Sequence, residues 1–174
     1  AMRAGIDGFR IDEATHAIYR FVWNELCDWF LEISKPVFAS GTDAEKQETR
    51  AVLAYAIEKS LRLLHPTIPF ITEELWHRVP RPTESPASLC LAAFPTGEVA
   101  KEDPEAERQM QALMDVVGAA RTIRSEHEVH PAAAVSVALR SDSVEVRELL
   151  AREQRMPTTL IKTDGPITIG PRGA

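Results

Sequence analysis

From Asp12 to about Lys35, apolar residues recur every three or four positions, at Ile18, Val22, Leu26, Trp29 and Ile33, the spacing that lines one face of an α-helix. Phe21, Trp23, Phe30 and Leu31 widen that face, so the helix calls for neighbours on more than one side. Pro36 is expected to end it. Thr42-Asp43-Ala44-Glu45 has the form of a capping box, in which the Thr hydroxyl and the Glu carboxylate each satisfy a backbone N–H of the first turn. The helix it opens carries Val52, Leu53, Ala56, Ile57, Ser60, Leu61 and Leu64 and is expected to stop at His65, because Pro66 disfavours helical geometry in the residue before it. Pro66 and Pro69 bracket a tight corner, and Phe70 to about Arg78 reads as a third, shorter helix with Phe70, Ile71, Leu75 and Trp76 inward. Three helices with short connections predict an antiparallel bundle.

The pattern changes after Val79. Pro80, Pro82, Ser85 and Pro86 predict a stiff loop, and Leu89 to Phe94 a short strand or extended packing segment. Asp103-Pro104 is a helix start, with Asp as N-cap and Pro in the first turn. Met110, Leu113, Met114, Val117 and Ala120 carry that helix to about Glu126. The alternation Val135, Val137, Leu139 predicts a half-buried strand. Ser141 or Asp142 is expected to cap a helix to about Arg152, and Leu160–Thr163 and Ile167–Ile169 are strand candidates around Asp164-Gly165-Pro166. The fold class is therefore mainly α: an antiparallel helical bundle over residues 1–79, followed by a small α+β module over residues 80–174. Composition marks the same place, since ten of the eleven aromatic residues precede residue 80 and nine of the twelve prolines follow it.

Charge narrows the function classes. The 174 residues carry 20 Lys and Arg against 26 Asp and Glu, for a formal charge of −6, divided evenly at −3 for each part. No strongly basic arm is present, which disfavours a sequence-blind electrostatic nucleic-acid binder and leaves room for a domain that docks one shaped RNA through a few placed groups. Cys27 and Cys90 stand alone without a Cys-x-x-Cys pair and are read as reduced thiols of a cytoplasmic protein. Stretches free of charged residues reach about a dozen residues, short of the ~20 that a membrane span needs. Ala1 ahead of Met2 reads as the remnant of a cleaved tag, the expectation being a piece of something longer.

Catalytic signatures are sparse. His127-Glu128-Val129-His130 imitates a zinc-protease string but is one residue short of the i, i+4 spacing that puts two histidines on one helical face; it is read as a solvated helix end. Glu13-x-x-His16 and Glu74-x-x-His77 have the spacing of di-iron bundle ligands, yet His16 lies about 200° around the helix from the Ile18 stripe. Both histidines are read as exposed, and no metal site is assigned. No Gly is followed by Lys, no dinucleotide-binding Gly spacing occurs, and Gly-x-Ser-x-Gly is missing, so no catalytic residue is assigned.

Three strings resemble a known family. Tyr19-Arg20-Phe21-Val22-Trp23-Asn24-Glu25-Leu26-Cys27-Asp28-Trp29-Phe30-Leu31-Glu32 with Ser34-Lys35-Pro36 is similar to the anticodon-binding region of bacterial-type valyl-tRNA synthetases. Leu61-Arg62-Leu63-Leu64-His65-Pro66-Thr67-Ile68-Pro69-Phe70-Ile71-Thr72-Glu73-Glu74-Leu75-Trp76 is shared in outline with the isoleucyl and leucyl enzymes, and Cys27-Asp28-Trp29 selects valine among them. Arg121-Thr122-Ile123-Arg124-Ser125-Glu126, leading to Pro131, is like the family's arginine-bearing helix end.

The resemblance implies a part of a class I synthetase that holds the anticodon stem-loop of tRNA-Val while a distant active site, using ATP and Mg, activates valine and transfers it. His-Ile-Gly-His and Lys-Met-Ser-Lys-Ser do not occur here, so this segment is expected to be non-catalytic alone and to hold no cofactor. The implied partners are the tRNA and the remaining synthetase domains. The family's helix before Asp12 and its C-terminal coiled-coil arm are not recognised, and Ala132, Ala133 and Ala134 stand where the family usually has a lysine. Lys35, Arg62, Arg78, Arg121 and Arg124 are the basic candidates for RNA contact, because guanidinium forks suit phosphates and base edges; Trp23 is the candidate to stack on an unpaired base. The alternative for each is an ordinary solvated side chain. Trp29, Phe30, Phe70, Ile71 and Trp76 are read as the aromatic core, and Asp28, Glu73 and Glu74 as partners of Arg20, Arg62 or Lys35 across helices. Two rivals accompany this reading: a stand-alone synthetase-derived module that binds protein instead of RNA, and a di-metal carboxylate bundle enzyme.

Overall fold

The computed structural model describes residues 2–97, 102–130 and 132–173, so Ala1 and Pro131 lie outside it. The chain forms two compact units, Ala1–Gly97 and Glu98–Ala174. The first opens with α1 (Met2–Asp7) and α2 (Ile11–Arg20), continues without a break through a π-helical stretch (Phe21–Leu31) into α3 (Glu32–Ser40), and adds α4 (Asp43–Leu64), α5 (Pro69–Trp76) and a 3₁₀ turn (Leu89–Leu91). Helix α1 was not foreseen. It packs on α2 because Gly5 lets the backbones approach: a Cβ there would stand 2.9 Å from Ala14 N and 3.0 Å from Arg10 O.

Pro36 does not end the first long helix but sits inside α3, which runs on to Ser40. A proline in a helix collides with the carbonyl four residues back. Here that residue is Glu32, where the wider turns of the π stretch hand over to the α ladder. Hydroxyls supply donors on either side: Ser34 Oγ donates to Phe30 O at 2.6 Å and Ser40 Oγ to Pro36 O at 3.1 Å. Helix α4 begins as expected, with a complete Thr42/Glu45 capping box, and its C-cap is His65.

Two apolar clusters hold the unit together. One gathers Met2, Ala14 and Ile18 with Val22, Leu64 and Phe94; the other joins Leu61, Trp76 and Leu89 with Ile57 and Val79. Of the five residues read as aromatic core, only Trp76 is fully enclosed, with 0% exposure; Trp29 and Phe30 are half-buried, Ile71 is exposed and Phe70 is 91% exposed. The reason is which face of α5 turns inward. Thr72 and Trp76, one turn apart, are its buried residues, so Phe70, Ile71 and Leu75 point outward. The indole N–H of Trp76 donates to Pro86 O at 3.1 Å, and the Arg62 and Arg81 guanidinium groups cover its ring at 5.6 and 5.2 Å.

The first compact unit runs to Gly97 rather than to residue 79: Arg81, Pro86 and Leu89 pack on or bond to Trp76, and Phe94 packs on the Met2–Ala14–Ile18 cluster. The segment Leu89–Phe94, expected to be a short strand or an extended packing segment, is the 3₁₀ turn followed by extended chain. Glu73 anchors that turn by accepting from Leu89 N–H at 3.0 Å and from the Ser88 hydroxyl at 3.2 Å. Burial pushes the Glu73 carboxyl up, but Leu89 N–H, Ser88 and His77 together hold it below its ordinary value. Of the acidic groups expected to pair across helices, Glu74 pairs with Arg78 and Glu73 with His77, four residues on, while the expected cations Lys35 and Arg62 pair with Glu32 and Glu58 of their own helices.

In the second unit, α6 (Pro104–Glu126) starts on Asp103 as expected. It is followed by β1 (Ala138–Arg140), α7 (Val144–Arg152, capped by Ser143 rather than Ser141 or Asp142), α8 (Arg155–Ile161) and β2 (Thr168–Gly170). Strands β1 and β2 pair in parallel, Leu139 opposite Ile169, with α7 and α8 forming the crossover that parallel strands require. Leu160–Ile161, expected in a strand, belong to α8. The hydroxyls of Thr158 and Thr159 donate to the Gln154 and Arg155 carbonyls, which lets β-branched residues serve a helix start. Leu113, Leu149 and Leu150, with Leu139 and Ile169, form the core.

Candidate nucleic-acid interface

The run from α2 into the π stretch places Tyr19 and Trp23 on its solvent side. Their rings lie nearly parallel, 4° apart in plane with centroids at 6.1 Å, and both remain open to solvent, at 56% and 57% exposure. An offset stack of two exposed rings forms a flat ledge with a free face, the shape on which an unpaired base stacks in single-stranded recognition. Tyr19 was not singled out in the sequence, although its four-residue spacing from Trp23 is the i, i+4 relation that brings side chains together on a helix.

The basic candidates fall into two classes. Lys35 and Arg78 are exposed, each held by an acidic residue three or four positions earlier: Lys35 Nζ lies 2.5 Å from Glu32, and Arg78 Nε donates to Glu74 at 2.9 Å. Such surface pairs contribute little to stability, so both cations can exchange their partner for a phosphate. Arg62 is committed inward, paired with Glu58, lying over Trp76 and donating to Ala93 O at 3.3 Å.

In the second unit, Arg124 is likewise occupied. Its Nη1 donates to Ile161 O at 2.9 Å, and its Nη2 donates to His130 O and Ala133 O at 2.8 Å each, so it clasps the chain after α6 to the end of α8. Arg121, one turn earlier and exposed, lines a groove with Ser125, His130 and Lys162. Lys162 caps α8 in left-handed geometry, φ 60°. Helix α6 ends at Glu126 and Glu128 has φ 53°, so His127-Glu128-Val129-His130 is not helical. Lys162 and His130 were not proposed from the sequence; the signal available was a lysine just ahead of the Asp164-Gly165-Pro166 turn.

Residues 1–139 match the family described as the anticodon-binding domain of tRNA ligase. The chain belongs to that family. It is 42% identical over 150 residues to the valine–tRNA ligase of Mesorhizobium japonicum, covering 86% of this chain and 16% of the ligase. To the Rhizobium meliloti valine–tRNA ligase it is 37% identical over 172 residues, covering 97% of this chain and 18% of the ligase. The Enterococcus faecalis valine–tRNA ligase is 36% identical over 144 residues, covering 83% and 16%. The chain thus spans less than a fifth of these relatives' length. As a member of the anticodon-binding domain family it carries the Tyr19–Trp23 ledge and Arg121 within the matched residues, whereas Lys162 lies beyond them.

Among the described residues, no helix is long and apolar enough to cross a membrane.

Proposed function

We propose that this chain recognises and positions the anticodon stem-loop of tRNA-Val as one part of a cytoplasmic valine–tRNA ligase. The bond-making chemistry, with ATP and Mg, belongs to other parts of that enzyme. The reading rests on the family match over residues 1–139 and on valine–tRNA ligases as relatives; the exposed Tyr19–Trp23 stack is the observation that supports where the RNA docks. An anticodon loop offers unpaired bases, and every base has a flat face to lay on an aromatic ring. Lys35 and Arg78 supply exchangeable positive charge on the same unit, and Arg121 with Lys162 on the other. With a net charge of −6, affinity depends on these placed groups rather than on a general positive field.

The test is low-salt titration of the chain with a 5′-labelled valine anticodon hairpin. Trp23→Ala is expected to weaken binding by about 5- to 150-fold, the equivalent of about 1–3 kcal/mol for one stacked base. Tyr19→Ala, which removes the supporting ring, is expected to weaken it less. Unchanged affinity in both variants would remove the ledge from the interface.

A further inference from the structure

Three side chains of the first unit, from separate elements, bring a nitrogen, a sulfur and a carboxylate to one point. His65 is the C-cap of α4, Glu73 lies on α5 and Cys90 is in the 3₁₀ turn. One ligand atom from each lies within 4.8 Å of the others. We propose that His65, Glu73 and Cys90 form a zinc-binding site, with the fourth position of a tetrahedral ion open to water.

The hydrogen bonds around the cluster prepare it for a cation. Thr72 Oγ1 lies 2.9 Å from Ile68 O and 3.1 Å from Pro69 O. With its single proton given to one of these carbonyls, it accepts from His65 Nδ1–H, 2.8 Å away. That assignment makes His65 Nε2 the acceptor of the Cys90 thiol, at 3.1 Å, a proton that a metal ion would replace. A ligating histidine whose other nitrogen donates to a fixed acceptor is the usual outer-shell arrangement of metal sites. Glu73 is held in the same way by Leu89 N–H, the Ser88 hydroxyl and His77 Nε2 at 3.3 Å. Zinc bonds of about 2.0–2.3 Å to N, O and S set ligand separations near 3.5 Å in a tetrahedron. The Nε2–Sγ pair needs to open by a few tenths of an ångström, and the carboxylate, within 4.8 Å of the other two, to close by up to about 1.3 Å. Thiolate with imidazole selects zinc over magnesium or calcium, and exposed Cys90 gives the ion a way in. The site joins residues 65, 73 and 90, too far apart in sequence to show as a motif.

The full chain, reduced and metal-free, is titrated with cobalt(II) and then with zinc. The expected result is tetrahedral cobalt absorption with a thiolate-to-cobalt charge-transfer band, displaced by zinc, and a melting temperature that rises with zinc. Cys90→Ser is expected to abolish the charge-transfer band and to weaken zinc binding about tenfold or more; His65→Gln is expected to weaken zinc binding by a similar factor. Cys27→Ser retains both. Glu73→Gln keeps the side chain's size but one acceptor oxygen only, and is expected to weaken zinc while leaving the band; its melting temperature without metal, compared with that of His65→Gln, separates loss of a ligand from loss of folding. Cobalt spectra without the thiolate band, zinc bound as tightly by Cys90→Ser as by the parent chain, or loss of the band in Cys27→Ser would each overturn the assignment. In any of these cases the Thr72–His65–Cys90 chain is only a lock on the corner.

Discussion

Arg124 shows how a guanidinium read from the sequence as a candidate for RNA contact can be spent on the protein itself. Three backbone carbonyls, from Ile161, His130 and Ala133, take its N–H groups, and a planar fork suits several acceptors at once where an ammonium does not. Arg124→Met, which keeps the apolar stem, is expected to destabilise the second unit by at least about 1 kcal/mol, because acceptors are left unpaired, while tRNA affinity changes little. Thermal unfolding and hairpin titration of the same variant check both halves. A loss of affinity without loss of stability would return Arg124 to the interface. The sequence shows an arginine at a helix end; it does not show acceptors supplied 6, 9 and 37 residues away. Trp23 reads from the sequence both as widening the apolar face of its helix and as a ring open to solvent, and at 57% exposure it is the second.

At the level of elements, local chemistry decided most starts and tertiary contact decided most faces. The Thr42/Glu45 box and the Asp103-Pro104 start are read directly from residue types, since capping needs only the side chain and the next three N–H groups. Thr42→Ala is expected to cost about 0.5–2 kcal/mol, measured by chemical denaturation, with Thr42→Ser restoring most of it. An unchanged midpoint in the alanine variant would mean that α3 and α4 are fixed by packing alone. The π register of Phe21–Leu31 was not legible, because apolar spacing does not separate an i→i+4 from an i→i+5 ladder over so short a run. Nor was the inward face of α5, where Phe70, Ile71, Leu75 and Trp76 offer an apolar surface on several sides and only the position of Leu61 and Leu89 chooses Trp76.

For the whole molecule, the change in composition at residue 80 and the limit of the first compact unit at Gly97 are different things. The aromatic-poor segment after Val79 supplies Pro86 O to Trp76, Ala93 O to Arg62 and the buried Leu89. A chain cut after Gly97 is expected to unfold cooperatively, and one cut after Val79 to lose that cooperativity, as read by circular dichroism on denaturation. Equal behaviour of the two would restore the boundary at 80. The central claim, recognition of an anticodon, is tested most directly by comparing two hairpins that share one stem and differ only in the three anticodon bases, valine against another. Titrated with the full chain at low salt, the valine hairpin is expected to bind measurably tighter, with the difference reduced in Trp23→Ala; equal binding of the two hairpins would contradict the account.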